Sequence, residues 1–213
     1  MISLFTATAR AHTQMYIDSP AFFSSSTGYK LCLRLYPNGD GNAQGTYISL
    51  YIILMRGEYD PILKFPFDYR VILGLIDQTD KEKHIINTLT PDPHSVSFQR
   101  PCSEMNVPSG IMEFAPLKLL EQENNPYIRD DTTFIKAMID FEGMPEAIFP
   151  YALSLNNALS AEMQQMMIQA EIAKRHLAVI SSASLANSGT REFMDTSAQQ
   201  KDAVQKKFSN KKK

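Results

Sequence analysis

Hydrophobic and polar residues alternate through residues 28–57, GYKLCLRLYPNGDGNAQGTYISLYIILMRG. In the first arm Leu31, Leu33 and Leu35 fall on one side, and Lys30, Cys32, Arg34 and Tyr36 on the other. In the second arm Ile48, Leu50, Ile52 and Leu54 share a side, with Tyr47, Ser49 and Tyr51 opposite. Period two over runs this long predicts two strands, each with one buried face. The intervening PNGDGNAQG contains Asn-Gly and Asp-Gly, whose residues tolerate positive φ, so the arms fold back as a hairpin. One face of that hairpin is apolar. The other offers Arg34, Tyr36, Asp40 and Tyr51.

The rest of the chain is organised around this pair. Residues 1–18 carry little pattern, and Ser19–Pro20 opens a turn into a short strand at Ala21–Phe23. Pro61 and Pro66 cannot donate to a ladder, so residues 57–67 read as an edge or crossover. Further strands are predicted over Tyr69–Asp77, His84–Leu89 and Thr132–Phe141. In the last of these Phe134 and Met138 take one face, and Ile135, Ala137, Ile139 and Phe141 the other. Pro91–Gly110 is dense in Pro, Ser, Asn and Gly and reads as a long surface loop of the kind that often carries function. FAPLKLLEQ at Phe114–Gln122 reads as a brief helical turn. Strands separated by turns with hardly a helix among them predict a mainly β protein, an antiparallel β-sandwich.

From about residue 144 the character changes. Ser154–Ile180 is rich in helix formers, and Leu159, Met163, Met166, Ala170, Ala173, Leu177 and Ile180 follow a 4-3-4-3-4-3 spacing. An amphipathic helix is predicted, with Glu171 and Arg175 as an i,i+4 pair. After Gly189 the chain turns polar and ends in KKFSNKKK, which reads as a disordered tail. The expected organisation is a poorly patterned segment at 1–18 and a sandwich at 19–143. A linker and amphipathic helix follow at 144–181, then the tail at 182–213.

Composition narrows the function classes. A net charge of −2 gives no basic excess for nucleic acid or an anionic membrane surface. No apolar run approaches the roughly 18 residues of a membrane span. The two cysteines, Cys32 and Cys102, make neither a disulfide framework nor a four-ligand zinc site, and they fit a reducing, cytoplasmic home. His12, His84, His94 and His176 have no metal-ligand spacing among them. A calcium loop at Asn38–Asn42 fails because Ala43 and Ser49 stand where the glycine and the final acid are needed. There is no Gly-x-Ser-x-Gly elbow. The chain reads as non-enzymatic, without cofactor or metal.

The phrases SPAFFSSSTGYKLCLRLYPNGDG, GTYISLYIILMRGEYD, SFQRP, SEMN and YIRDDTTFIKAMID, in this order, resemble the C-terminal domain of the TRAF adaptors. These are the tumour-necrosis-factor-receptor-associated factors, whose domain belongs to the wider MATH group. The likeness runs through about residues 19–142 and implies an antiparallel sandwich of seven or eight strands. It also implies a non-enzymatic adaptor that binds receptor cytoplasmic tails, or adaptor peptides, carrying motifs of the P-x-Q-x-E type. In that mode an extended peptide adds to a sheet edge while side-chain pockets give specificity. The family's peptide-contacting positions fall on Arg34, Tyr36, Asp40, Gly41 and Tyr51. A second set falls on Leu89, Ser95, Val96, Ser97, Phe98, Ser109 and Gly110. From the hairpin alone the same polar positions read as the solvated face of a strand.

In chemical terms, Arg34 and Tyr36 can meet an acidic side chain, Tyr51 and Phe98 can flank a proline, and Ser95, Ser97 and Ser109 can hold an amide. Two departures stand out. The family's run of small hydroxyl residues reads Ser95-Val96-Ser97, which removes one donor. Its Phe-Arg pair before Pro-Asp reads Leu89-Thr90, which removes an aromatic wall and a charge. Binding is then either weaker or tuned to another motif. The zinc-rich half, the trimerising coiled coil and the opening strand of full-length members are not recognised in the sequence. The expectation is a truncated adaptor that occupies receptor tails without recruiting ubiquitin machinery, with Ile2–Phe5 standing in for the missing strand. Trimerisation with related chains stays open. The alternative is a nonfunctional fragment, or a structural protein that self-associates through its heptad stripe.

Overall fold

Leu31, Leu33 and Leu35 on β4 (Lys30–Tyr36) and Ile48, Leu50, Ile52 and Leu54 on β5 (Tyr47–Met55) are all buried in one apolar core. In the computed structural model, which describes residues 2–5, 15–130, 132–156, 158–160 and 162–181, the hairpin forms as its alternation predicts. Its register runs from Lys30 opposite Met55 to Tyr36 opposite Ser49. Two antiparallel sheets face each other across the core. One is ordered β2 (Ile17–Asp18), β4, β5, β8 (Ser109–Pro116), with β3 (Phe22–Phe23) also pairing β4. The other is ordered β1 (Ile2–Phe5), β9 (Thr132–Asp140), β6 (Arg70–Leu75), β7 (Ile85–Leu89). Val71, Leu73, Leu75 and Ile135 of the second sheet meet the leucines and isoleucines of the first. Burial of this apolar surface, at about 25 cal/mol per Å², is the main stabilising term. A strand forms at residues 2–5, and Ile2 to Phe5 pair antiparallel with Ile135 to Thr132.

β8 is the element that alternation does not predict. Residues 109–116 carry a glycine, a proline and two consecutive buried residues, Phe114 and Ala115. The cause is a register shift between Ile48 and Leu50 on the partner strand, which breaks the period of two. The helical turn expected from residue 114 therefore starts later, as α1 (Leu117–Leu120).

The chain divides into two compact units, 1–164 and 165–213. A second helix, α2 (Phe149–Ser154), belongs to the first unit and was expected to be linker. Pro150 sits in its first turn, where a missing N–H costs nothing. Phe149 and Leu153 pack on Ile72, covering the outer face of the second sheet. The amine of Lys136 donates to the Leu153 and Leu155 carbonyls at 3.1 and 3.0 Å, and so holds the C-terminal end of α2. Leu155 leaves the helix with φ −60° and ψ 141°. The long helix therefore spans 162–181 and does not begin at Ser154. Ser160 caps it, its hydroxyl accepting the Met163 N–H. In the second unit this helix runs on to residue 181 with its Glu171–Arg175 pair formed at 2.8 Å. The predicted disordered tail lies outside the described residues.

Candidate functional site

Strand pairing sets the outward residues of the hairpin in a row. Arg34 lies opposite Tyr51, and Tyr51 lies opposite Gly110. Cross-strand neighbours share a face, so three strands contribute to one surface. Tyr36 follows two residue pairs along, and its ring meets that of Tyr51 edge-on with centroids 5.5 Å apart. The Tyr51 hydroxyl donates to Asp40 at 2.9 Å. Burial, with that bond to a carboxylate next, pushes the Tyr51 phenol up to about 12.

Asp40 is carried on the hairpin connection, and Ser49 fixes that connection. The Asp40 N–H donates to Ser49 Oγ at 2.9 Å, and Ser49 Oγ donates to the Met112 carbonyl at 2.5 Å. One buried hydroxyl thus ties the hairpin tip to both β5 and β8. Gly41, next to Asp40, has φ of 53°, where a side chain is strained. Gly110 is required for a different reason. A Cβ there would lie 2.2 Å from the Leu50 carbonyl oxygen and 2.4 Å from Tyr51 Cα. A glycine here is therefore what lets β8 approach β5 this closely at the end of the row.

Arg34 is not a free cation. Its Nε and Nη2 donate to the two carboxylate oxygens of Asp18 at 2.6 and 2.7 Å. The Tyr16 ring lies over the guanidinium, 3.8 Å from Cζ to the centroid, and stands 5.5 Å from the Tyr36 ring. The bonds to Asp18 raise the Arg34 pKa further, although burial pulls against them. Tyr16 and Asp18 come from the weakly patterned start of the chain, and neither was expected at the site. The only sequence signal is an acid two residues before Pro20, in a segment with no periodicity to say that it is a strand.

The second set of expected residues lies around the short 3-10 turn Val96–Phe98. Ser95 caps that turn, its hydroxyl oxygen accepting the Ser97 N–H at 3.3 Å and its O–H remaining a donor. Val96, at 68% exposed, offers an apolar surface where a hydroxyl was expected. Ser97 and Phe98 are buried, and Phe98 stacks on Phe67 inside the core. Phe98 is thus a core residue. Leu89 is half-buried and packs on the same core, opposite Val71. Ser109 pairs with Ile52, which places it on the opposite face of the sheet from Tyr51.

Asn106 moors this loop. Its N–H donates to the Leu54 carbonyl, while its side-chain amide donates to the carbonyls of Ser97 and Gln99 at 3.1 and 2.7 Å. Leu54 is three residues from Tyr51 on β5, about 10 Å at 3.3 Å per residue. The turn and the Arg34–Tyr51–Gly110 row are therefore moored to one strand.

Comparison with known proteins gives a consistent picture. The family model described as TRAF/meprin, MATH domain matches residues 14–136. TNF receptor-associated factor 2 of Homo sapiens is 48% identical over 128 residues, covering 60% of this chain and 25% of that protein. TNF receptor-associated factor 5 of Mus musculus is 46% identical over 135 residues, covering 63% of this chain and 24% of the relative. Among solved structures, Notothenia coriiceps TRAF5 superposes with a TM-score of 0.59 at 38% identity, covering 66% of this chain and 69% of that one. The chain spans about a quarter of the length of these curated relatives.

Proposed function

This chain belongs to the TRAF/meprin MATH family, and on that premise we propose that its β4–β5–β8 face docks short extended peptides from the cytoplasmic tails of TNF-type receptors. The names of the relatives, TNF receptor-associated factors, point to that class of partner. The observation that carries the reading is the row Arg34–Tyr51–Gly110, which ends at a strand with one sheet partner and a residue with no side chain. A peptide can pair with such an edge through its main chain while its side chains meet Tyr36, Tyr51 and the Ser95 hydroxyl. A proline can lie against the outer surfaces of the touching Tyr36 and Tyr51 rings, and an amide can bond the serine hydroxyl, which is the chemistry a P-x-Q-x-E type motif would use. The protein is then a non-enzymatic signalling adaptor acting in the cytoplasm. Its partners are receptor tails or adaptor peptides rather than nucleic acid or lipid. No helix among the described residues is long and apolar enough to cross a membrane.

An amide-proton NMR titration with capped peptides built on a Pro-Ala-Gln core tests this. Shifts confined to Tyr36, Tyr51, Gly110 and the 95–99 turn are expected, and they should vanish in Tyr36→Ala. Shifts elsewhere, or none at millimolar peptide, would sink the reading.

One observation favours a second reading, self-association through the long helix. Met163, Met166, Leu177 and Ile180 of its heptad stripe are exposed, which is unusual for apolar residues at seam spacing. Sedimentation that shows only monomer at high concentration disposes of it.

A further inference from the structure

The cation through which this face would take an acidic side chain is already taken by the chain itself. Asp18 and Arg34 form the two-bond fork that is the strongest arginine–carboxylate contact. Backbone pairing holds the two in place: Ile17 lies opposite Leu35 and Asp18 opposite Arg34. The guanidinium is further closed in by Tyr16, and only 15% of the Arg34 side chain is exposed, against 33% for Asp18. The row thus sets one guanidinium against two carboxylates, Asp18 and Asp40, with Tyr51 bonded to the second. An incoming carboxylate finds a local negative charge and a fork whose better edge is occupied. It must also compete with a tethered rival, whose effective concentration is on the order of millimolar or higher.

We propose that Asp18 sets the selectivity of this face: paired with Arg34, it stands where the acidic side chain of a bound tail would sit. The subsite then takes an uncharged, hydrogen-bonding side chain such as Gln in place of Glu. The inference rests on the reading of the face as a peptide-docking site. It deepens that reading by assigning the chemistry of one ligand position to a residue contributed by β2. Asp18 acts against an acidic ligand both as a competitor for Arg34 and as a like charge, and its removal should change selectivity rather than the existence of binding.

The test uses the full chain and two capped nonapeptides, one with a Pro-Ala-Gln-Ala-Glu core and one in which that Glu is Gln. Affinities are read by NMR titration for wild type, Asp18→Asn and Asp18→Ser. The substitutions leave the main-chain pairing of β2 in place, and a dispersed amide spectrum checks each fold. Wild type is expected to bind the Gln peptide at least as tightly as the Glu peptide. Both variants should bind the Glu peptide about ten-fold more tightly, the size of one charge-assisted contact at a mostly covered site. Their affinity for the Gln peptide should stay within about two-fold. A wild type that already prefers the Glu peptide ten-fold overturns the inference and leaves the docking reading intact. So does an equal change toward both peptides. If neither peptide shifts any of the three proteins, the docking reading itself falls and the role of Asp18 falls with it.

Discussion

Arg70 and Asp140 stand opposite one another on β6 and β9, and their side chains close the end of that ladder with two hydrogen bonds. Asp140 is 3% exposed and also accepts from the backbone N–H groups of Glu142, Gly143 and Met144. Arg70 in turn donates to the Met144 carbonyl, and its guanidinium lies 5.0 Å from the Phe149 ring. One ion pair thus organises the turn that delivers α2 to the sheet. Burial alone would push the Asp140 carboxyl up. The Met144 N–H and Arg70 outweigh it and hold the carboxyl below its ordinary 3.8.

Asp140→Asn should therefore cost about 3 kcal/mol, because it strips Arg70 of its buried charge partner and leaves it the exposed Glu146 carboxylate at 3.9 Å. A depressed carboxyl contributes stability that is present above its unfolded pKa and is lost as pH falls through the folded one. Wild type should lose that contribution below about pH 4, and the variant should not show the loss. Urea unfolding across the acid range checks both. A variant as stable as wild type at neutral pH would remove Asp140 from this role.

His84 gives a second pH dependence, nearer neutrality. Its Nδ1 accepts the Asp77 N–H at 3.0 Å, so the ring is neutral with its proton on Nε2, 3.0 Å from the Ser154 hydroxyl on α2. Burial lowers its pKa below the ordinary 6.5, against the pull of Glu82 and Asp77, and the Lys136 charge lowers it further. The unfolded chain then takes up the proton first. Stability is fully present above about pH 6.5 and declines as pH falls toward the folded pKa. His84→Gln should flatten the slope between about pH 7 and 5, a range above the carboxylate titrations. A wild-type midpoint that does not move over that range counts against the assignment.

Gly110→Ala should be among the most damaging small substitutions in the protein. The added carbon meets the backbone of Leu50 and Tyr51, which cannot turn aside as a side chain can. The expected cost is about 3 kcal/mol from overpacking, and β8 should lose protection against amide hydrogen exchange. Unchanged protection at Gly110 neighbours would mean that the edge is looser than described.

Tyr51 should resist ionisation. With its phenol near 12, it should remain protonated at a pH where exposed tyrosines are half ionised. Asp40→Ala removes the acceptor charge and should bring the titration back toward 10. Carbon-13 shifts of the tyrosine ring carbons give the reading residue by residue. A wild-type Tyr51 that titrates near 10 would mean that its bond to Asp40 does not persist in solution.

The hairpin was legible because alternation over Leu31–Leu35 and Ile48–Leu54 is a local property, and nothing distant is needed to decide it. The row Arg34–Tyr36–Tyr51 followed from the same parity. β8 was hidden by a bulge that makes Phe114 and Ala115 both face inward. α2 was hidden because six residues are too few to show a helical period. Asp18 could not be placed from the sequence, since its meaning lies in a partner sixteen residues away on another strand. The burial of Phe98 is not legible either, because its neighbours read as a surface loop, whereas the ring lies beside Phe67 in the core.

The Asn106 mooring has a consequence for how such a face can diversify. Every acceptor that it uses near the 3-10 turn is a backbone carbonyl, present whatever residue occupies the position. The turn's location is thereby uncoupled from its chemistry. Val96, the exposed residue of the turn, can change among apolar, hydroxyl and charged types while the bonds beneath keep their partners, whereas buried Ser97 and Phe98 cannot. A substitution at Val96 thus alters the surface offered there without disturbing the bonds that fold the loop.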